Sequence, residues 1–210
     1  MGHGYRRFLL VRDDFYPDPH DIVRRARAMT FREHEEFTGY VTDENYCPLT
    51  LRRRLERLLG LRITRWSTNP ESGNGVFFLG LSRGKHREIP AVHYDMPVDE
   101  VTVVVYLTPG LTEGFGTSLW RHRSTGLSDA PTRSDARRLA TPIAKLRKRL
   151  KRQEADRSKW VEIDRAGYRF NRMVAYPSGA LHSATRHFGG SIADGRLYQT
   201  FRIGVSWRGA

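Results

Sequence analysis

The sequence has almost no cysteine, no long apolar run and too few acidic residues to balance its basic ones. With Cys47 alone, an internal disulfide is excluded, as is a zinc site built on several thiolates. No stretch approaches the roughly 18 apolar residues that a membrane-spanning helix requires, so no membrane partner is expected. No apolar segment follows a basic N-terminus in the manner of a secretory signal, which makes the expected compartment cytoplasmic. Repeats, low-complexity tracts and linkers are also missing, and 210 residues suit a single domain. What stands out is charge: 36 Lys and Arg against 23 Asp and Glu leave +13. Arginine recurs along the chain, in Arg52-Arg53-Arg54, at Arg83 and in Arg137-Arg138, rather than in one tail. Neither zinc-finger spacing nor the aromatic-plus-basic pattern of an RNA-recognition sheet accompanies it. Such a charge fits nucleic acid, an acidic peptide or carrier protein, or an arginine-rich composition with no specific partner.

The apolar pattern divides the chain. Phe8 to Val11 is a short apolar strand. Asp18-Pro19 predicts an N-cap and a first helical residue, with a helix from about His20 to Met29 burying Ile22, Val23 and Ala26. A second helix is predicted from about Leu51 to Leu59, its stripe being Leu51, Leu55, Leu58 and Leu59 and its end Gly60. Residues 1–60 are therefore expected to form a helical buttress. From residue 61 the period changes to two, predicting strands over 61–66, 76–81, 89–93, 101–107 and 116–120. The polar stretch 121–134 reads as a loop, and about 135–155 as a basic amphipathic helix carrying Leu139, Ile143, Leu146 and Leu150, interrupted at Pro142. Strands resume over 172–176, 180–184 and 196–207. Helices followed by about eight short strands, with one helical insertion, predict an α+β domain whose core, 61–207, is an antiparallel sandwich or barrel.

Three residues in this pattern carry metal chemistry. His93 and Asp95 are two apart, so on a strand both point to one face. A second imidazole is available at His182, after the turn Pro177-Ser178-Gly179. Two imidazoles and one carboxylate on one face of an octahedral ion leave three positions open, the arrangement of non-heme Fe(II) oxygenases. With eight histidines and 23 acidic residues, one His-x-Asp also arises by chance, as a strand-end histidine bonded to a turn aspartate.

The surroundings add to the motif. After His93-Tyr94-Asp95 come the β-branched run Val101-Thr102-Val103-Val104-Val105-Tyr106-Leu107 and the turn Phe115-Gly116-Thr117. Further on stand Met173-Val174-Ala175-Tyr176, Pro177-Ser178-Gly179, His182 and Gly195-Arg196-Leu197-Tyr198-Gln199-Thr200-Phe201. In kind and order these blocks resemble the 2-oxoglutarate/Fe(II) dioxygenases, particularly the prolyl-hydroxylase-like and phytanoyl-hydroxylase-like branches, over roughly residues 75–207. The resemblance implies a double-stranded β-helix, or jelly roll, with Fe(II) held by His93, Asp95 and His182. It implies that Arg196 pairs with the distal carboxylate of 2-oxoglutarate, with the Tyr106 hydroxyl assisting and Thr200 on the same strand face. Arg202, also on that face, is the rival anchor and otherwise a substrate contact. Trp120, His122 and Arg123, leaving the barrel near its mouth, are further candidate substrate contacts. The implied reaction consumes O2, splits 2-oxoglutarate to succinate and CO2, and oxidises an unactivated C–H of an amino-acid, peptide or related metabolite substrate. Asp95 leaves no ligand position for a halide, so hydroxylation, desaturation or cyclisation is expected over halogenation. The positive surface points toward an acidic small-molecule or peptide substrate. Two readings from other classes are a non-catalytic, cupin-like binding protein and a nucleic-acid-binding module built on the basic helix.

Overall fold

Alternating β-branched and aromatic residues build the two antiparallel sheets that organise this chain. The computed structural model describes residues 8–35, 38–83 and 90–206. In chain order the elements are β1 (Leu10–Arg12), α1 (Pro19–Ala28), β2 (Phe31–Glu33), β3 (Gly39–Asn45), α2 (Leu49–Leu59), β4 (Arg62–Arg65) and β5 (Val76–Gly80). There follow β6 (Val101–Tyr106), β7 (Thr117–His122), α3 (Arg133–Arg138), α4 (Ile143–Gln153), β8 (Trp160–Ala166), β9 (Met173–Pro177), β10 (His182–Ala184) and β11 (Arg196–Ser206). The larger sheet runs β1-β9-β6-β11-β5-β3-β2, with β4 pairing the far end of β11, and the smaller runs β10-β7-β8. The fold is mixed α+β. No helix among the described residues is long and apolar enough to cross a membrane.

The central strands β6 and β11 divide their residues by parity. Val101, Val103, Val105, Leu197, Phe201 and Ile203 pack with Ile22, Ala26, Leu51 and Leu55 of the two N-terminal helices. The opposite face presents Val104, Tyr106 and Tyr198 to Leu119 and Ala166 of the smaller sheet. Outside that sheet lies a third cluster, in which Leu150 of α4 meets Trp160, Leu127, Val92 and Leu181. The molecule is thus layered as helices, large sheet, small sheet and inserted helix. Truncating a fully buried residue such as Phe201 to alanine costs about 3–5 kcal/mol.

Local signals place most elements where the sequence puts them. The Asp18 side chain accepts a hydrogen bond from the Asp21 amide at 2.9 Å, and Pro19 opens α1 as expected. α2 ends at Gly60 in the left-handed region, φ 67°. The expected interruption at Pro142 is real: it caps α4, separating α3 from α4, with Ala140 at φ 45° in the link.

Four expectations are corrected. Residues 1–60 are not a purely helical buttress, because β1 joins one edge of the large sheet and the β2–β3 hairpin extends the other. The strand expected over 89–93 reduces, among the described residues, to one bridge at His93; Ile89 lies outside them, as does Trp207, the last residue of the strand expected over 196–207. The loop expected over 121–134 begins only after His122 and already contains the start of α3. β8 was not expected at all. Its apolar residues Trp160, Val161, Ile163 and Ala166 keep no period of two, since a bulge opposite Leu119 and Trp120 resets the alternation.

Candidate metal centre

His93 and His182 are brought together by backbone pairing. The His93 amide donates to the His182 carbonyl at 2.9 Å and the His182 amide to the His93 carbonyl at 2.8 Å, placing the ring centroids 4.4 Å apart. Two residues on, the Asp95 amide donates to the Ser178 carbonyl at 2.8 Å, which returns its side chain to the same face. One ligand atom from each residue then lies within 4.8 Å of the others. Nε2 of His93 is 3.8 Å from the Asp95 carboxylate and Nε2 of His182 is 3.6 Å from it. Facial ligands about 2.1 Å from an octahedral ion stand about 3 Å apart, so small side-chain rotations bring this set to bonding geometry.

The tautomers suit ligation. Nδ1 of His93 meets the Ala91 carbonyl at 2.9 Å and Nδ1 of His182 the Ala180 carbonyl at 2.8 Å. A carbonyl only accepts, so each Nδ1 carries the proton and each Nε2 turns a lone pair toward Asp95. Burial and the neighbouring His93 push the His182 pKa down to about 4, so this imidazole is neutral at pH 7. Burial alone would raise Asp95. The His182 imidazole, the Arg202 guanidinium, the His93 imidazole and the Thr102 hydrogen bond around it hold it below the usual carboxylate range. With His182 neutral, Arg202 and Thr102 remain the stabilising partners. Arg202 Nη2 donates to Asp95 at 2.9 Å, its Nη1 to the Met96 carbonyl at 3.0 Å, and the Thr102 hydroxyl to the other carboxylate oxygen at 2.8 Å. Asp95 and His182 are buried, while the His93 side chain is 51% exposed and marks the open side.

One face of β11 runs from this cluster into the interior. It carries Arg202, Thr200, Tyr198 and Arg196, paired across to Thr102, Val104 and Tyr106 of β6. Thr200 is on this face, its hydroxyl donating to the Gly73 carbonyl at 3.0 Å. The Tyr106 hydroxyl donates to Thr117 at 2.7 Å. Arg196 is 2% exposed. Its Nε reaches the Phe115 carbonyl at 3.1 Å, and its guanidinium lies 4.8, 5.3 and 5.9 Å from the ring centres of Tyr198, Tyr106 and Tyr168. Among the described residues no carboxylate pairs with it. Burial pushes Tyr106 and Tyr198 up to about 12, so both phenols stay protonated. Tyr198 escaped the sequence reading, although counting in twos from Arg196 to Arg202 passes through it.

Trp120 and His122 are not at this site. Leu119 pairs with His182 and faces inward, so the residues one step on face out, and the small sheet separates them from the cluster. Trp120 donates to the Ser183 hydroxyl at 3.0 Å, stacks under Arg157 at 4.5 Å and lines an outer cavity of about 400 Å³ with Glu162, Arg165 and Arg186. His122 is buried with both ring nitrogens engaged, by Thr125 at 2.9 Å and Gln153 at 2.7 Å. Arg123 lies in the turn after β7. Strand alternation instead puts exposed Arg121 on the inner face with Thr117 and Leu119.

A pH dependence follows. Burial, with Arg196 nearby, pushes His187 down to about 3, beside His182 at about 4. Unfolded histidine titrates near ~6.5, so between these values the unfolded chain binds more protons. The stability of the metal-free protein is then fully present above about pH 6.5 and declines as pH falls toward 4, by up to about 1.4 kcal/mol per pH unit per histidine. Urea titrations at pH 7, 6 and 5 measure this. A midpoint constant over that range would mean that neither imidazole is held neutral.

No curated protein matches the chain. A family of unknown function, DUF6445, matches over residues 3–201, a span that takes in the His93–Asp95–His182 cluster and Arg196. The match covers nearly the whole sequence, and the chain belongs to the DUF6445 family.

Proposed function

We propose that this protein is a 2-oxoglutarate-dependent non-heme Fe(II) oxygenase that hydroxylates an unactivated C–H bond of an amino-acid, peptide or related metabolite substrate. The observation that carries the reading is Arg196, a buried guanidinium without a carboxylate partner among the described residues, on the strand face that ends at the cluster. A buried cation is costly unless an anion meets it, and a dicarboxylate whose other end binds a metal ion meets that need. Strand order supports the jelly roll. Counting β5, the His93 segment and β6 to β11 as eight strands, the large sheet holds the first, eighth, third and sixth, and the small sheet the second, seventh, fourth and fifth. Two sheets interleaved in this order are what a double-stranded β-helix calls for.

Fe(II) with 2-oxoglutarate, once bound, supplies O2 activation coupled to loss of CO2. The chain's own residues do the rest. His93, Asp95 and His182 would hold the ion. Arg202 and Thr102 keep Asp95 ionised and oriented. Arg196 offers its fork to the distal carboxylate, and the protonated phenols of Tyr106 and Tyr198 flank it, excluding water. Because Asp95 supplies the third ligand, hydroxylation is favoured over halogenation.

The test is succinate formation and O2 uptake by purified protein with Fe(II), with and without 2-oxoglutarate. Slow turnover that needs both, accompanied anaerobically by a visible charge-transfer absorption on adding 2-oxoglutarate to the Fe(II) protein, is expected. Metal binding with neither succinate nor the absorption would leave a cupin-like binding protein.

A further inference from the structure

Basic residues recur along the chain, but their excess over acidic ones is concentrated in one stretch. Residues 121–159 hold thirteen Lys and Arg against four Asp and Glu, a net +9 of the chain's +13. At their centre stands α4. It buries Leu146 and Leu150 and exposes Lys145, Arg147, Lys148, Arg149, Lys151 and Arg152. Lys151 pairs with Glu154 at 3.0 Å; among the described residues the other five form no ion pair. Like charges three and four apart on a helix destabilise it by a few tenths of a kcal/mol each, so this ridge repels itself until an anionic partner relieves it.

We infer that α4 is a docking ridge for the sugar–phosphate backbone of nucleic acid. A protein partner, even an acidic one, ordinarily needs an apolar or aromatic anchor at the centre of its interface. None is offered here: among the described residues the exposed large hydrophobics are Leu49, Met96 and Ile192, all outside 121–159. Phosphate binding needs only cations, through release of condensed counterions. With no exposed aromatic side chain within 121–159 on which bases could stack, binding is to the backbone and independent of sequence. The ridge is also held firmly. The Gln153 side chain meets His122, the Gln153 carbonyl accepts from Trp160 at 2.9 Å, and the Glu154 carbonyl accepts from the Val92 amide at 2.9 Å, one residue before His93. A strand docked on α4 is therefore tethered next to the segment that carries His93. The inference rests on charge and exposure and stands apart from the oxygenase reading.

The experiment is fluorescence anisotropy with a labelled DNA duplex of mixed sequence, about 20 base pairs long, between 50 and 200 mM NaCl. Four to five phosphate contacts give a log–log salt slope of about −4. The triple variant Lys148→Gln, Arg149→Gln, Arg152→Gln removes three of them. It should flatten the slope by nearly three and weaken binding several-hundred-fold at 100 mM, with an unchanged circular dichroism spectrum because all three side chains are exposed. Arg53→Gln with Arg57→Gln, on the exposed face of α2, should leave binding unaltered. Three results overturn the inference: no binding at 50 mM, equal losses from the α2 and α4 variants, or displacement by polyglutamate of matched charge as effective as by unlabelled duplex. The last would point to an acidic polypeptide.

Discussion

His93→Ala and His182→Ala should each cut Fe(II) affinity by at least about a hundred-fold, since losing even an outer partner of a ligand costs 10–100-fold. The two differ in what else they disturb. The His93 side chain is half exposed, so its removal leaves the fold intact and gives the cleaner test. His182 is buried against Tyr176, ring centroids 4.6 Å apart, and its removal also opens a cavity costing a few kcal/mol. Asp95→Asn keeps the shape but removes the charge that Arg202 pairs with, so metal affinity and thermal stability should fall together. Titration calorimetry with Fe(II) or Co(II), beside a thermal melt, reads both quantities. Wild-type metal affinity in both histidine variants would place any metal elsewhere.

The cluster was legible because its geometry is local. His93 and Asp95 obey the two-residue period, and the family-like blocks around them point to His182. The same period put Arg196, Thr200 and Arg202 on one face, as found. It failed where the chain's alternation is not the sequence's. Ile163 is the extra residue of a bulge, so β8 keeps no period of two and was passed over. Trp120 and His122 follow an inward Leu119 by one and three residues, which sends both outward under the inserted helix. The β2–β3 hairpin contains too few apolar residues to announce itself and gains its place by pairing with the edge of β5. Arg202 was read as a substrate contact or rival anchor. Its pairing with Asp95, 107 positions away in sequence, comes only from the register of β11 against β6, which puts Arg202 opposite Thr102.

That pairing sharpens the test of the co-substrate. Arg196 and Arg202 share a face, but Arg202 already has a carboxylate at 2.9 Å while Arg196 has three tyrosine rings and backbone carbonyls. Arg196→Met, similar in length and apolar, removes a buried charge that no carboxylate among the described residues balances. The metal-free variant should therefore fold with stability equal to or above that of wild type. Its affinity for 2-oxoglutarate should collapse, because a desolvated carboxylate left unpaired costs roughly 2–5 kcal/mol, about thirty- to several-thousand-fold. Arg196→Lys should fall between, keeping the charge and losing the bidentate fork. Arg202→Met should instead weaken metal binding, about 10–100-fold, by releasing Asp95. Titrating 2-oxoglutarate into each Fe(II)-loaded variant without O2, after measuring metal affinity separately, distinguishes the two arginines. Loss of 2-oxoglutarate binding with metal retained at Arg202→Met, and full binding at Arg196→Met, would move the anchor to the metal end of the strand. The buried guanidinium of Arg196, without a carboxylate partner among the described residues, would then need another anion to explain it.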